Sequence, residues 1–275
     1  MADPNELRSA LRESLPAVDQ AGAADTRSPA FTFVPPSHAK ALDVESSVVE
    51  GIRGAGKSFW WMHLALSEHR RYIAAAFPDI RLGSAIEAVQ AFGAQSVSPR
   101  APSPDVLAAL LKSHPARAIW RTVLAHNAGF GDPFPTTTKW SDRVGWVAEH
   151  PEEFDELLRA KDGELEAKGK SLVVLFDALD RLADDWATIR PLSRALLQLA
   201  LDVRSTRCIR FKVFLRPDML QDREIIGFPD ASKLLARKAD LRWQRADLYA
   251  LMFQCAANAA HGGAAFRQMA TEVTG

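Results

Sequence analysis

The chain has 275 residues, a hydrophobic fraction of 47%, and 34 basic against 34 acidic side chains, for a formal net charge of zero. That length and apolar content suit one large domain, or a domain with a small appendage, and the balanced charge argues against a protein whose main task is coating nucleic acid. The two cysteines, Cys208 and Cys255, lie in apolar settings, which argues against a disulfide framework and for buried thiols in a reducing, cytoplasmic setting.

Met1–Gln20 carries mixed charge and no apolar core, so no signal peptide is expected. The longest uncharged run, Leu248–Phe266, contains Gln254, Asn258, His261, Gly262 and Gly263, so no membrane span is expected. Residues 1–29 read as a flexible segment with a short helix near Asn5–Ser14 and then a loose Ala/Gly/Asp/Ser stretch. Phe31–Pro36 is apolar but proline-broken, which predicts an extended arm. Phe33, Val34 and His38 are candidates to contact a nucleotide base; the alternative is an arm that covers the sheet edge.

Ser46–Glu50 reads as a strand and Ser58 to about Arg70 as a helix. Between them, Gly51-Ile52-Arg53-Gly54-Ala55-Gly56-Lys57-Ser58 matches G-x-x-x-x-G-K-[ST] without a mismatch. Glycines at 51, 54 and 56 let backbone N–H groups converge on one concavity at a helix N-terminus, where an anion is favoured. Lys57 can then reach the β- and γ-phosphates, and Ser58 can ligate Mg²⁺. Phe59, in the first helical turn, completes the candidate cofactor-binding set. The alternative is a glycine-rich turn capping an ordinary helix. Trp60 and Trp61 read as core packing in preference to base stacking.

Tyr72–Phe77 reads as a short strand and Ser84–Phe92 as a helix. Ser98–Pro104 is a loop. Asp105–Asn127 reads as helical with a break at Pro115, Gly129–Thr138 as a loop, and Ser141–Leu158 as helical with a break at Pro151. Glu149–Asp185 holds twelve acids against five bases, and its run up to Lys170 is most simply a solvated surface.

Leu172–Phe176 is apolar on both faces, as a buried parallel strand requires, and Asp177 follows it directly. An aspartate there suits the Walker B carboxylate near Mg²⁺, or alternatively a helix N-cap. Asp180 is placed to hold or polarise a water. Trp186–Ser205 reads as a helix and Cys208–Leu215 as a strand, with Arg210 and Lys212 implying a partly covered face. Arg216 follows that strand, where a guanidinium can stabilise charge on phosphoryl oxygens; a surface arginine is the alternative. Ala239–Trp243 is a last short strand and Asp247–Ala260 an amphipathic helix. Residues 190–245 carry thirteen bases against six acids, a belt that faces either nucleic acid or a neighbouring subunit's acidic segment.

The Gly51–Ser58 loop, the D-A-L-D-R run Asp177–Arg181 and Phe214-Leu215-Arg216-Pro217-Asp218 together resemble the regulatory ATPases of the STAND and KAP groups and their AAA-type relatives. Phe228–Leu234 and Leu241–Leu248 are similar to their closing segments, and the resemblance covers roughly Phe31–Ala260. It implies a three-layer α/β P-loop NTPase fold, with a mainly parallel five-stranded sheet in the additional-strand order 5-1-4-3-2 over strands near 46–50, 72–77, 171–176, 208–215 and 239–243. Residues 30–245 would form the ATPase domain and 246–275 the start of a minimal or truncated helical lid. Lys57, Asp177, Asp180 and Arg216 match catalytic positions, and Ser58 and Asp177 match metal ligands. Asp180 stands three residues after Asp177, where many AAA enzymes carry an adjacent Glu.

The expectation is an ATP- and Mg²⁺-dependent hydrolase acting as a regulatory switch, in bacterial stress or antiviral defence. It would work as a homo-oligomer or with an effector protein, and Arg204 or Arg207 is a candidate trans-acting finger. A nucleotide-binding scaffold with little hydrolysis is the alternative, and a small-molecule phosphotransferase the third reading.

Overall fold

The continuous apolar runs of the sequence become parallel strands, and the helical segments cover them. The computed structural model describes residues 3–14, 28–93, 98–137 and 139–274; the loose stretch expected at 15–27 lies outside the described residues. In chain order the elements are α1 (Pro4–Ser14), α2 (Pro36–Leu42), β1 (Val48–Glu50), α3 (Lys57–His63), α4 (Ser67–Ala76), β2 (Ile86–Phe92), α5 (Pro104–Leu111), α6 (Ala116–Ala128), α7 (Trp140–Glu149), α8 (Pro151–Ala167), β3 (Ser171–Phe176), α9 (Trp186–Asp202), β4 (Ile209–Leu215), α10 (Pro217–Gln221), α11 (Arg223–Ile226), α12 (Ala231–Leu235), β5 (Ala239–Asp240), α13 (Arg245–Ala257) and α14 (Gly263–Thr274). They divide into two compact units, His38–Leu241 and the pair of terminal segments Met1–Ser37 and Arg242–Gly275. Among the described residues no helix is long and apolar enough to cross a membrane.

The larger unit holds a five-stranded sheet in the order β2-β3-β4-β1-β5, with every pairing parallel. Read from the other edge this is the expected 5-1-4-3-2. The pleat sends alternate side chains to opposite faces. Leu172, Val174 and Phe176 of β3 join Ile209, Phe211 and Val213 of β4 in the main core, with α6 and α9 contributing Trp120, Leu192 and Leu196. Trp120 meets Phe92 and Phe176 edge-on, with centroids 6.2 and 5.7 Å away, and its indole N–H donates to Leu192 O at 2.8 Å. Such a ring is satisfied at its polar tip while its body excludes water. Val173 and Leu175 face the other way, toward Leu42 and Leu64. Trp60 and Trp61 are buried, as their helical spacing implied.

Four expectations need correction. Tyr72–Phe77 is not a strand, because α4 runs through Ser67–Ala76. Good helix formers dominate it, and the buried Arg70 guanidinium ties it to Leu64 O at 2.8 Å and Ile86 O at 2.9 Å. Ser84–Phe92 is not a helix. All but its first two residues form β2, an edge strand paired to β3 alone, where ladder hydrogen bonds override the helix propensity of Glu87, Ala88, Gln90 and Ala91. The helix from Ser58 to Arg70 is two helices, α3 and α4, separated by a turn at 64–66. Finally, β4 has no half-covered face at Lys212, which is 1% exposed. Its ammonium donates to the carbonyls of Ala41, Asp43 and Ser46 at 2.7, 2.8 and 2.8 Å, so all three donors are used. Burial pushes its pKa down to about 7, against the pull of Asp43 and Glu45.

The breaks expected at Pro115 and Pro151 separate α5 from α6 and α7 from α8. Both cysteines are buried free thiols. In the terminal unit α1 packs against α13 and α14, through a small core of Ala10, Ala256, Ala259 and Phe266. The short 3₁₀ turn Pro29–Phe31 that precedes the arm is held there too: Gln254 and Asn258 side-chain amides donate to Ala30 O.

Candidate functional site

Parallel strands end on one edge of a sheet, and ligands of such sheets gather at the carboxyl ends. Here β1 ends at Glu50 and runs into Gly51, β3 ends at Phe176 before Asp177, and β4 ends at Leu215 before Arg216. All of the predicted catalytic positions thus lie along this edge. Because β4 lies between β1 and β3, two strand spacings of about 4.8 Å each separate the ends of β1 and β3. The 51–56 loop and the first turn of α3 bridge that gap.

The loop can turn because its glycines take conformations closed to other residues. Gly54 has φ 81° and Gly56, the residue capping α3, has φ 98°. The first amides of α3, those of Lys57, Ser58 and Phe59, have no partner one turn back within the helix. Ile52 and Arg53 are exposed at the rim, whereas Ala55 is buried. The Phe59 ring stacks on His63 with centroids 3.9 Å apart, so only its main chain belongs to the loop's concavity.

Ser58 Oγ donates to Asp177 Oδ2 at 2.5 Å, joining residues 119 apart in sequence. Lys57 Nζ donates to Gly51 O at 2.7 Å and Ile52 O at 2.9 Å, folding back over its own loop. Burial pushes the Lys57 pKa down, while Asp177 and Asp180 pull it up. Asp177 is 1% exposed. Burial pushes its carboxyl above the usual range, opposed by the Ser58 hydroxyl, the Ala178 N–H and Lys57. Ala178 itself is left-handed, φ 55° and ψ 40°. That turn starts the short 3₁₀ segment Leu179–Arg181 and brings Asp180 back to the edge. Asp180 Oδ2 accepts from Arg216 Nη1 at 3.0 Å, so the fourth predicted residue joins the cluster. Hydrogen bonding to Asp180 and the charge of Asp218 raise the Arg216 pKa.

The donor set suits a hard divalent cation. A hydroxyl and a buried carboxylate approach within one hydrogen bond. Among the described residues no group of three or more His, Cys, Asp or Glu could hold a metal. Mg²⁺ does not require one, since it keeps waters and phosphate oxygens beside one or two protein oxygens.

Other candidates are placed elsewhere. His38 is fully buried and accepts the Trp60 indole N–H at 3.1 Å, which commits it to the core and corrects its reading as a base contact. Phe33 lies 6.5 Å from Trp243 in the terminal unit, where Val34 is buried. Arg204 and Arg207 precede β4 and so sit at the opposite edge of the sheet. Arg204 donates to Lys233 O at 2.7 Å, and Arg207 grips Glu166 at 2.7 and 2.9 Å. One charged residue of the cluster escaped sequence reasoning. Asp218 binds Arg216 at both Nε and Nη2, each at 3.0 Å, and the tripeptide Arg-Pro-Asp was the only signal for it. No protein-family model, curated protein or solved structure matches this chain.

Proposed function

We propose that the chain binds Mg·ATP at the 51–58 loop and hydrolyses it, as a regulatory switch. The observation that carries this reading is the Ser58–Asp177 hydrogen bond beside Lys57, at the carboxyl edge of a parallel sheet. In this reading the loop amides and Lys57 hold the phosphates, Lys57 leaving the Gly51 and Ile52 carbonyls as they arrive. Ser58 and Asp177 hold Mg²⁺, which when bound offsets phosphate charge and orients the terminal phosphoryl group. Asp180 accepts a hydrogen bond from the attacking water and orients it. Arg216 donates to the phosphoryl oxygens where charge develops.

A specific observation favours the scaffold alternative. One carboxylate oxygen of Asp180 is already committed to Arg216, which leaves that oxygen less available to a water. Phosphate release by purified protein decides between them. The switch reading expects Mg²⁺-dependent release that Asp180→Asn, which loosens the oriented water, reduces by about a hundredfold. Tight nucleotide binding without turnover, unchanged in Asp180→Asn, would leave the scaffold standing. A role in stress or antiviral defence, as a homo-oligomer or beside an effector protein, belongs to the same proposal.

A further inference from the structure

Arg216 is held from two sides. Pro217 fixes the chain immediately after it, and α10 begins there. Two residues on, Asp218 presents both carboxylate oxygens to the Nε–Nη2 edge of the guanidinium. Asp180 takes one Nη1 donor. The two carboxylates differ in position: Asp218 is 49% exposed, whereas Asp180 is 25% exposed and lies on the β3 side. A guanidinium has five N–H donors. Three are used, which leaves one on Nη1 and one on Nη2, and a rigid bidentate pair fixes the plane in which they lie. Arg216 and Asp218 share the lining of a groove with Ile52 and Arg53, so the pair lies beside the loop. Pro217 and Gln221 complete that groove.

We propose that Asp218 is a positioning residue for Arg216: its carboxylate braces the Nε edge so that the remaining donors meet the terminal phosphoryl group of a nucleotide on the 51–58 loop. This rests on the nucleotide reading above and adds a residue to it. In this proposal Asp218 acts through Arg216 and makes no contact of its own with the nucleotide. Without it the guanidinium swings about its long side chain, and misplacement by an ångström costs up to about a hundredfold in rate.

The test is single-turnover hydrolysis of Mg·ATP by wild type, Asp218→Ala, Asp218→Glu, Arg216→Ala and the Arg216→Ala/Asp218→Ala double variant, with binding measured separately by calorimetry. Asp218→Ala should lose about 10–100-fold in rate with its dissociation constant within about twofold of wild type. Asp218→Glu, which keeps the carboxylate, should recover part of the loss. In the Arg216→Ala background the second substitution should cost nothing further. The inference fails if Asp218→Ala hydrolyses at the wild-type rate or faster, or if its effect persists undiminished without Arg216. A wild type that binds no Mg·ATP overturns the nucleotide reading and this inference together. A wild type that turns over, with Asp218→Ala unaffected, overturns the inference alone.

Discussion

Replacing Lys212 with methionine removes a fully buried charge from β4 while nearly conserving volume. The ammonium of Lys212 bonds three carbonyls, those of Ala41, Asp43 and Ser46. The Asp43 carbonyl also accepts the Ser46 N–H at 3.1 Å, so the loss falls on Ala41 and Ser46. Two buried acceptors left unpaired cost about 1–3 kcal/mol each. Part of that is offset, because a thioether carries no desolvation penalty. The net expectation is a loss of about 3 kcal/mol in the larger unit. Urea unfolding followed by tryptophan fluorescence measures it, since Trp60, Trp61 and Trp120 are buried in that unit. The pH dependence gives a second, independent readout. The folded-state pKa of Lys212 is about 7 against 10.5 for a free lysine. Between those values the unfolded chain binds more protons, so the contribution of Lys212 to stability rises with pH across that window. Below pH 7 both states are protonated and the cost of burying the charge is present in full. The wild type should therefore gain on Lys212→Met as pH climbs from about 7 towards 10.5. An unchanged midpoint in Lys212→Met, or a gap that narrows with rising pH, would refute the reasoning.

Two further substitutions test the geometry around the edge. Ala178 sits at φ 55°, so Ala178→Val should cost more than about 1 kcal/mol, while Ala178→Gly should cost nothing; equal unfolding midpoints for the two would count against the left-handed turn. A Cβ on Gly93 would fall 2.3 Å from the Trp61 ring, and Gly93→Ala should lower stability by about 2 kcal/mol with a changed tryptophan emission. An unperturbed spectrum would mean that Trp61 does not pack there.

What could be read from the chain tracks how local the cause was. The 51–58 loop was legible because its chemistry is written in consecutive residues and its flanking strand and helix announce themselves. β3 was legible because burial on both faces demands an unbroken apolar run. β2 was not, because its residues form helices readily in isolation and only the distant β3 makes them a strand. Lys212 misled for a related reason. A lysine in a strand usually marks a wet face, but here three carbonyls on a segment about 170 residues away in sequence receive it. Asp177, Asp180 and Arg216 were named singly from strand ends. Their mutual bonds, and the part of Asp218, depend on side-chain directions that no spacing encodes.

The most direct test of the account is an equilibrium titration of the purified chain with Mg·ATP, run beside Lys57→Ala and repeated with excess chelator. Saturable binding at one site is expected, abolished in Lys57→Ala and weakened without Mg²⁺. No saturable binding, or binding undiminished in Lys57→Ala, would contradict it.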